Sequence, residues 1–318
     1  MTLKQLRCLH EVVRAGFNIS AAAQVLNSTQ PGLSRQLQLL EQSLGVPLFT
    51  RRGKRLIDLS VAGRGILEIA ERMLQDADNI RASVQERVES ADGAGGALTI
   101  ATTHTQARYA LPAVIRRFAQ QFPQVRLSLR QGTPAEVSSL VQSGNADISI
   151  ATEPVDTVEG LVMLPCYELQ RIVLTLARHP LLKERRLTLE TLARYPLITY
   201  DFAFIGRSKI VRAFEAAGLA PNVVLNAIDA DVIKTYVEFG LGIAILPAMA
   251  FDKKRDRTLR ARDASHLFEP NMIHVGVRRN HYLRGYIYAF IEMFAPHLTR
   301  TVVEKAIAVP QTPARLRA

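Results

Sequence analysis

The stretch Asp92-Gly93-Ala94-Gly95-Gly96 separates two kinds of sequence pattern, and this break constrains the fold more than any other feature. Before it, apolar residues recur every three or four positions, the spacing of amphipathic helices. After it, short apolar runs alternate with helical stretches, the mark of βαβ units. A glycine-rich run suits neither helix nor strand, so 93–96 reads as a flexible hinge. At 318 residues the chain is in any case too long for one ordinary core.

Ahead of the hinge, Leu59-Ser60-Val61-Ala62-Gly63 caps and opens a long helix spanning residues 60–92. Its apolar positions Leu67, Ala70, Leu74, Ala77, Ile80, Val84 and Val88 are spaced by threes and fours, as in a coiled-coil seam. No adjoining apolar segment is there to receive this stripe, which therefore implies a partner helix and a homodimer.

Residues 1–59 carry three shorter helical patterns. Leu3, Leu6, Leu9 and Val12 form one face of the first. Asn18 and Ser20 offer capping side chains for a second, alanine-rich helix, and Ser28 or Thr29 for a third, with Pro31 in the first turn where its missing N–H costs nothing. The third turns Leu33, Leu37 and Leu40 inward and stops near Gly45. Two helices joined by a short turn, the second with a polar front, make a helix-turn-helix, whose second helix leads with its N-terminal residues into a DNA major groove. That front consists of Gln30, Pro31, Ser34, Arg35 and Gln38; an ordinary three-helix bundle would show a similar face. Thr50 to Ile57 then form two short extended runs about Gly53, a wing carrying Arg51, Arg52, Lys54 and Arg55. A charge run alone is more often solvated surface, but a recognition helix followed by a basic wing is a specific combination.

The charge distribution agrees. The net charge is +11, and Met1 to Arg55 holds eight Lys and Arg against two acids, the footprint of double-stranded DNA as partner. The N-terminus lacks the continuous apolar stretch of a secretory signal, and no run is long enough to cross a bilayer. Cys8 and Cys166 are too few and too far apart for a disulfide framework, so a cytoplasmic location is expected.

The run from Ala21 to Leu26, then Gln30 to Leu37, Leu40-Glu41, Leu44-Gly45 and Leu48-Phe49-Thr50-Arg51 resembles the LysR-type transcriptional regulators. That resemblance implies an α/β protein with an N-terminal winged helix-turn-helix, a long dimerisation helix and a C-terminal two-lobed sensor like the periplasmic binding proteins. It also implies a tetramer, which the residues themselves do not indicate.

In the second half, Leu98 to Ala101, Val125 to Leu129 and Ala146 to Ala151 read as strands of a parallel sheet with helices on both faces, which places a ligand beyond their carboxyl ends. There, Thr103, Thr105 and Gln106 cluster where a helix starts, a setting for a carboxylate or sulfate or simply a hydroxyl-rich cap. Thr152 follows another strand end. A third runs toward Ile205-Gly206-Arg207-Ser208, where Arg207 either pairs with an anion or is an exposed surface charge. The first lobe is expected at 97–165 and 268–300, the second at 166–267, with 301–318 a C-terminal tail that reads as disordered from Pro310.

The segment from Thr103 to Pro112 is similar to a signature of the CysB-like subgroup, which controls sulfur assimilation. Gln131-Gly132-Thr133-Pro134, Gly206-Arg207-Ser208, the stretch from Asp229 to Tyr236 and Ala264 to Phe268 extend the match. It implies that Thr103, Thr105, Gln106 and Thr152 bind an effector of the acetylserine type, or sulfate. The subgroup usually has threonine just before Gly-Arg-Ser, and here Ile205 stands there. An alkyl group donates no hydrogen bond, so sulfate binding weakened by roughly 1.5–3 kcal/mol is expected.

Other signals point away from catalysis. Gly240-Leu241-Gly242 follows a helix and precedes a strand, so it reads as a helix end rather than a nucleotide loop. The histidines show no metal spacing, Asp229 and Asp231 read as helix caps, and the two cysteines as packing. No nucleophile, base and orienting acid assemble, so neither an enzyme nor a cofactor is expected. A LysR-type regulator of another pathway, such as aromatic acid metabolism, and a solute-binding protein on the same lobes are the alternatives.

Overall fold

The structure is a computed structural model describing residues 1–53, 55–91, 95–152, 158, 160–200 and 205–308; the side chains at 55, 75, 82, 85–91 and 205–208 lie outside the described set. By internal contacts the chain divides into Met1–Val88 with Asn280–Tyr282, and Glu89–Arg279 with Leu283–Ala318.

The first unit begins with α1 (Leu3–Arg14), α2 (Ile19–Val25) and α3 (Gln30–Leu44). Thr2, Asn18 and Thr29 each accept a hydrogen bond from a first-turn backbone N–H, so all three helix starts are written locally in the sequence. Leu6, Leu9, Val12, Ala22, Leu33, Leu37 and Leu40 meet in one core. β1 (Phe49–Arg52) and β2 (Arg55–Leu59) pair antiparallel as the wing. α4 (Val61–Ala91) follows, with Ser60 Oγ accepting from Gly63 N. The stripe on α4 is shared between two surroundings. Ala70 and Leu74 are buried in the helix-turn-helix core, whereas Ile80 and Val84 remain exposed. The expectation that nothing in the chain receives the stripe thus fails for its first half.

The second unit contains two lobes, each with a five-stranded sheet. The first lobe comprises β3 (Ala97–Thr102), α5 (Leu111–Gln121), β4 (Arg126–Gln131), α6 (Pro134–Gln142), β5 (Ile148–Thr152) and β6 (Leu161–Leu169). The second has β7 (Arg171–Leu176), α7 (Leu189–Ala193), β8 (Leu197–Tyr200), α8 (Ile205–Ala216), β9 (Val223–Ala227), α9 (Ala230–Glu238), β10 (Ile243–Pro247) and β11 (Leu259–Asp263). The chain returns through β12 (Asn271–Arg278) to α10 (Gly285–Phe294) and α11 (Arg300–Ala308). The sheet orders are β4-β3-β5-β12-β6 and β11-β7-β10-β8-β9, each packed on both faces.

The sheets are not wholly parallel. β3, β4 and β5 run parallel, as do β8, β9 and β10, but β12 is antiparallel to both β5 and β6, and β7 to both β10 and β11. The antiparallel strands are those that carry the chain between lobes, a long-range pairing with no local signature.

The lobe boundaries move accordingly. The first lobe is expected to end at Pro165, yet β6 runs through it to Leu169 because β6 is a sheet edge and the register shifts opposite it. Phe268 is buried in the core of the second lobe, so the return crossing lies at Glu269-Pro270. α11 buries Val303 and Ile307 in the core of the first lobe, so this lobe continues to Ala308 instead of stopping at 300. Residues 309–318 lie outside the described residues. Gly95 and Gly96 are not a loose joint either: a Cβ on them would collide with the Gln124 backbone and the Tyr286 ring, so close approach is what demands glycine. Of the expected hinge, 93–94 lie outside the described residues. Among the described residues no helix is long and apolar enough to cross a membrane.

Candidate functional site

On α3, burial of Leu33, Leu37 and Leu40 leaves Gln30, Pro31, Arg35 and Gln38 exposed and Ser34 half-buried on the remaining surface. Pro31 sits in the first turn, as its fixed φ and missing donor favour. A guanidinium and two amides on one polar front form a surface equipped for phosphates and base edges.

The wing is less uniform than its sequence suggests. Arg51 makes a 3.0 Å ion pair with Glu41, whose other oxygen accepts from Leu48 N at 2.8 Å and Phe49 N at 3.3 Å. Glu41 therefore ties the wing to α3, and Arg51 is half of that tie rather than a cation reserved for a ligand. Arg52 is exposed. Lys54 lies outside the described residues and the side chain of Arg55 outside the described set.

In the sensor, Thr103, Thr105, Gln106 and Thr152 come together in one cavity between the lobes, of about 50 Å³ among the described residues. Leu169 and Ile273 supply apolar wall; Arg171, Tyr200 and Asn271 complete the polar lining. Thr103, Thr105, Gln106, Arg171 and Asn271 are all at most 9% exposed, so polar groups have been gathered where water is scarce. Burial draws the Arg171 guanidinium down to about 10, which leaves it charged at neutral pH. Burial likewise pushes the Tyr200 phenol above its usual range.

The helix that starts here is unusual. Gln106–Ala110 is a π-helical turn leading into α5, and Thr105 makes no side-chain cap to it, which argues against a simple capping role for these hydroxyls. The turn reaches across to the second lobe. Thr105 Oγ1 lies 3.1 Å from Tyr200 Oη, and Gln106 Nε2 lies 3.9 Å from Met249 Sδ while its Oε1 accepts from Tyr167 Oη at 2.6 Å. Gln106 is thus partly engaged by protein. Arg108 and Tyr109 continue the connection to Asp231 at 3.1 and 2.6 Å, and Lys234 joins Asp231 to Asp256. Asp229 caps α9 through Val232 N, but Asp231 does not cap; its carboxylate points at the other lobe.

Ile205, Gly206, Arg207 and Ser208 open α8, and their side chains lie outside the described set, as does any contact of Ile205 with an anion. Arg171, Asn271, Asp231 and Glu41 escape sequence reasoning. The one local signal is Arg171, a charged residue opening the otherwise apolar run to Leu176.

Residues 3–64 match the model of the bacterial regulatory helix-turn-helix proteins of the lysR family, and residues 91–299 that of the LysR substrate binding domain. The chain is 49% identical over 303 residues to the HTH-type transcriptional regulator SsuR of Burkholderia cenocepacia, covering 95% of this chain and 97% of the relative. It is 46% identical over 307 residues to CysB of the same organism, covering 96% and 97%. The solved cofactor-binding domain of the Cbl transcriptional regulator superimposes with a TM-score of 0.64 at 43% identity, covering 67% of this chain and 93% of that one. With a recognition-helix surface, a wing and a two-lobed sensor all in place, the chain belongs to the LysR family of transcriptional regulators.

Proposed function

We propose that this chain is a DNA-binding regulator of sulfur-assimilation genes, switched by a small anionic or zwitterionic effector of the acetylserine or sulfate kind. The cavity carries this reading: clustered hydroxyls, an amide and a buried arginine suit a compact anion. Similarity to SsuR, CysB and Cbl supports the pathway.

Gln30, Ser34, Arg35 and Gln38 read base edges and neighbouring phosphates, while Arg52, Lys54 and Arg55 hold the backbone. Two chains paired through α4 present two such heads to two half-sites, and a tetramer pairs the dimers. The effector alters the closure of the lobes and with it the spacing of the heads. Gel shifts on promoter fragments test the scheme: affinity should fall steeply with salt, and acetylserine or sulfate should change the footprint. Footprints and promoter output indifferent to both compounds would end the effector reading, whereas absence of any shift at low salt would end the DNA reading.

A further inference from the structure

Among the described residues of the inter-lobe cavity, the side-chain carbonyl of Asn271 has no counterpart. Asn271 opens β12 beside the lobe crossing, paired in register with Leu169, and is only 6% exposed. It lines the cavity, yet its Oδ1 is buried without a hydrogen-bond partner. Of its neighbours, Gln106 Oε1 accepts from the Tyr167 hydroxyl, and the Tyr200 and Thr105 hydroxyls are hydrogen-bonded to each other. A buried carbonyl oxygen left unpaired is costly, and the cost is removed by any occupant that brings a donor to it.

We infer that Asn271 is a specificity-determining residue, selecting effectors that place an N–H or O–H donor beside their anionic group and discriminating against acceptor-only anions. This deepens, and rests on, the effector reading above. Threonine hydroxyls and the Arg171 guanidinium are suited to the anionic end of such a ligand, and Asn271 receives its donor. Fully deprotonated sulfate offers only acceptors. It can occupy the anionic end but leaves Oδ1 unpaired, so the site distinguishes a bare oxyanion from an amino-acid-like or hydroxylated one by a single hydrogen bond.

The test uses matched probes on the full chain by titration calorimetry: taurine against 1-propanesulfonate, and β-alanine against butyrate. Within each pair the anion and length are alike, and an ammonium donor with its charge replaces a methyl group. In at least one pair the donor-bearing member should bind about tenfold tighter, the scale of one hydrogen bond. That preference should vanish in Asn271→Leu and persist in Asn271→Asp, which keeps an acceptor. Equal binding within both pairs, a preference that survives Asn271→Leu, or its loss in a folded Asn271→Asp overturns the inference while leaving an anion site intact. Failure of all four probes to bind overturns it too. If sulfate and acetylserine then also fail to bind, the effector reading falls with it.

Discussion

The hydroxyl of Tyr109 donates a 2.6 Å hydrogen bond to Asp231, joining the π-helical turn of one lobe to α9 of the other. Arg108 and Lys234 reinforce the same carboxylate. Burial pushes the Tyr109 phenol up to about 12, with the Asp231 bond adding to the effect. For Asp231, burial alone raises the carboxyl, but the bonds from Tyr109 and Lys234 and the charge of Lys234 outweigh it and hold the group below its ordinary 3.8. Tyr109→Phe is expected to lower stability by about 1 kcal/mol and to raise hydrogen exchange in β7 and β12 at the cleft. Unchanged exchange would mean the contact is idle.

The same carboxylate sets a pH dependence. A group whose folded value is depressed contributes stability that is complete above its unfolded value and lost as pH falls through the folded one. The clasp should therefore be intact at neutrality and weaken below about pH 3.8. Acid titration of stability in Asp231→Asn against the parent should show a shallower fall in that range, and identical curves would contradict it.

On the head, Arg51 is already paired with Glu41, while Arg52 is exposed. Arg52→Ala should thus reduce the salt dependence of DNA affinity by about one ion and Arg51→Ala by less. Arg35→Ala should cost about tenfold or more and relax base preference at one position. Binding isotherms at several salt concentrations separate these outcomes.

Ile80 and Val84 are 66% and 56% exposed on the second half of α4. Replacing both with aspartate places charge on an unpartnered apolar stripe and should shift the protein toward monomer in sedimentation equilibrium, with the melting of the head nearly unchanged. A persistent dimer would move the interface elsewhere.

Gly63 lies where a Cβ would strike the backbone carbonyl of Leu48. That carbonyl also accepts from Ser60 N, so it cannot easily retreat. Gly63→Ala should destabilise the head by about 1–3 kcal/mol, measured by denaturant unfolding followed in the full chain.

The head was legible because its determinants are local. Caps at Asn18 and Thr29, the leucine spacing from Leu33 to Leu40, and the turn at Gly53 all act within a few residues. The parallel parts of the sensor sheets were legible for the same reason. The crossing strands were not, since β12 pairs with β5 and β6 across more than a hundred residues of chain. Thr103, Thr105, Gln106 and Thr152 emerged through family resemblance and strand-end position. Arg171 and Asn271 acquire meaning only when the two crossings meet, and Asp231 has the sequence appearance of a cap that tertiary contact overrides.

The two crossings run side by side. Leu169 is opposite Asn271 in register, Ala264 N donates to Arg171 O at 2.9 Å, and Arg171 N donates to Ser265 Oγ at 3.1 Å. Paired chains fastened together in this way act as a single flexure: torsion about their common line is soft, while sliding and shear are stiff. The sensor consequently has one mechanical coordinate to be biased. Displacement along it grows with distance from the line, so a molecule of a few atoms lodged near the axis moves the far rim of the lobes most.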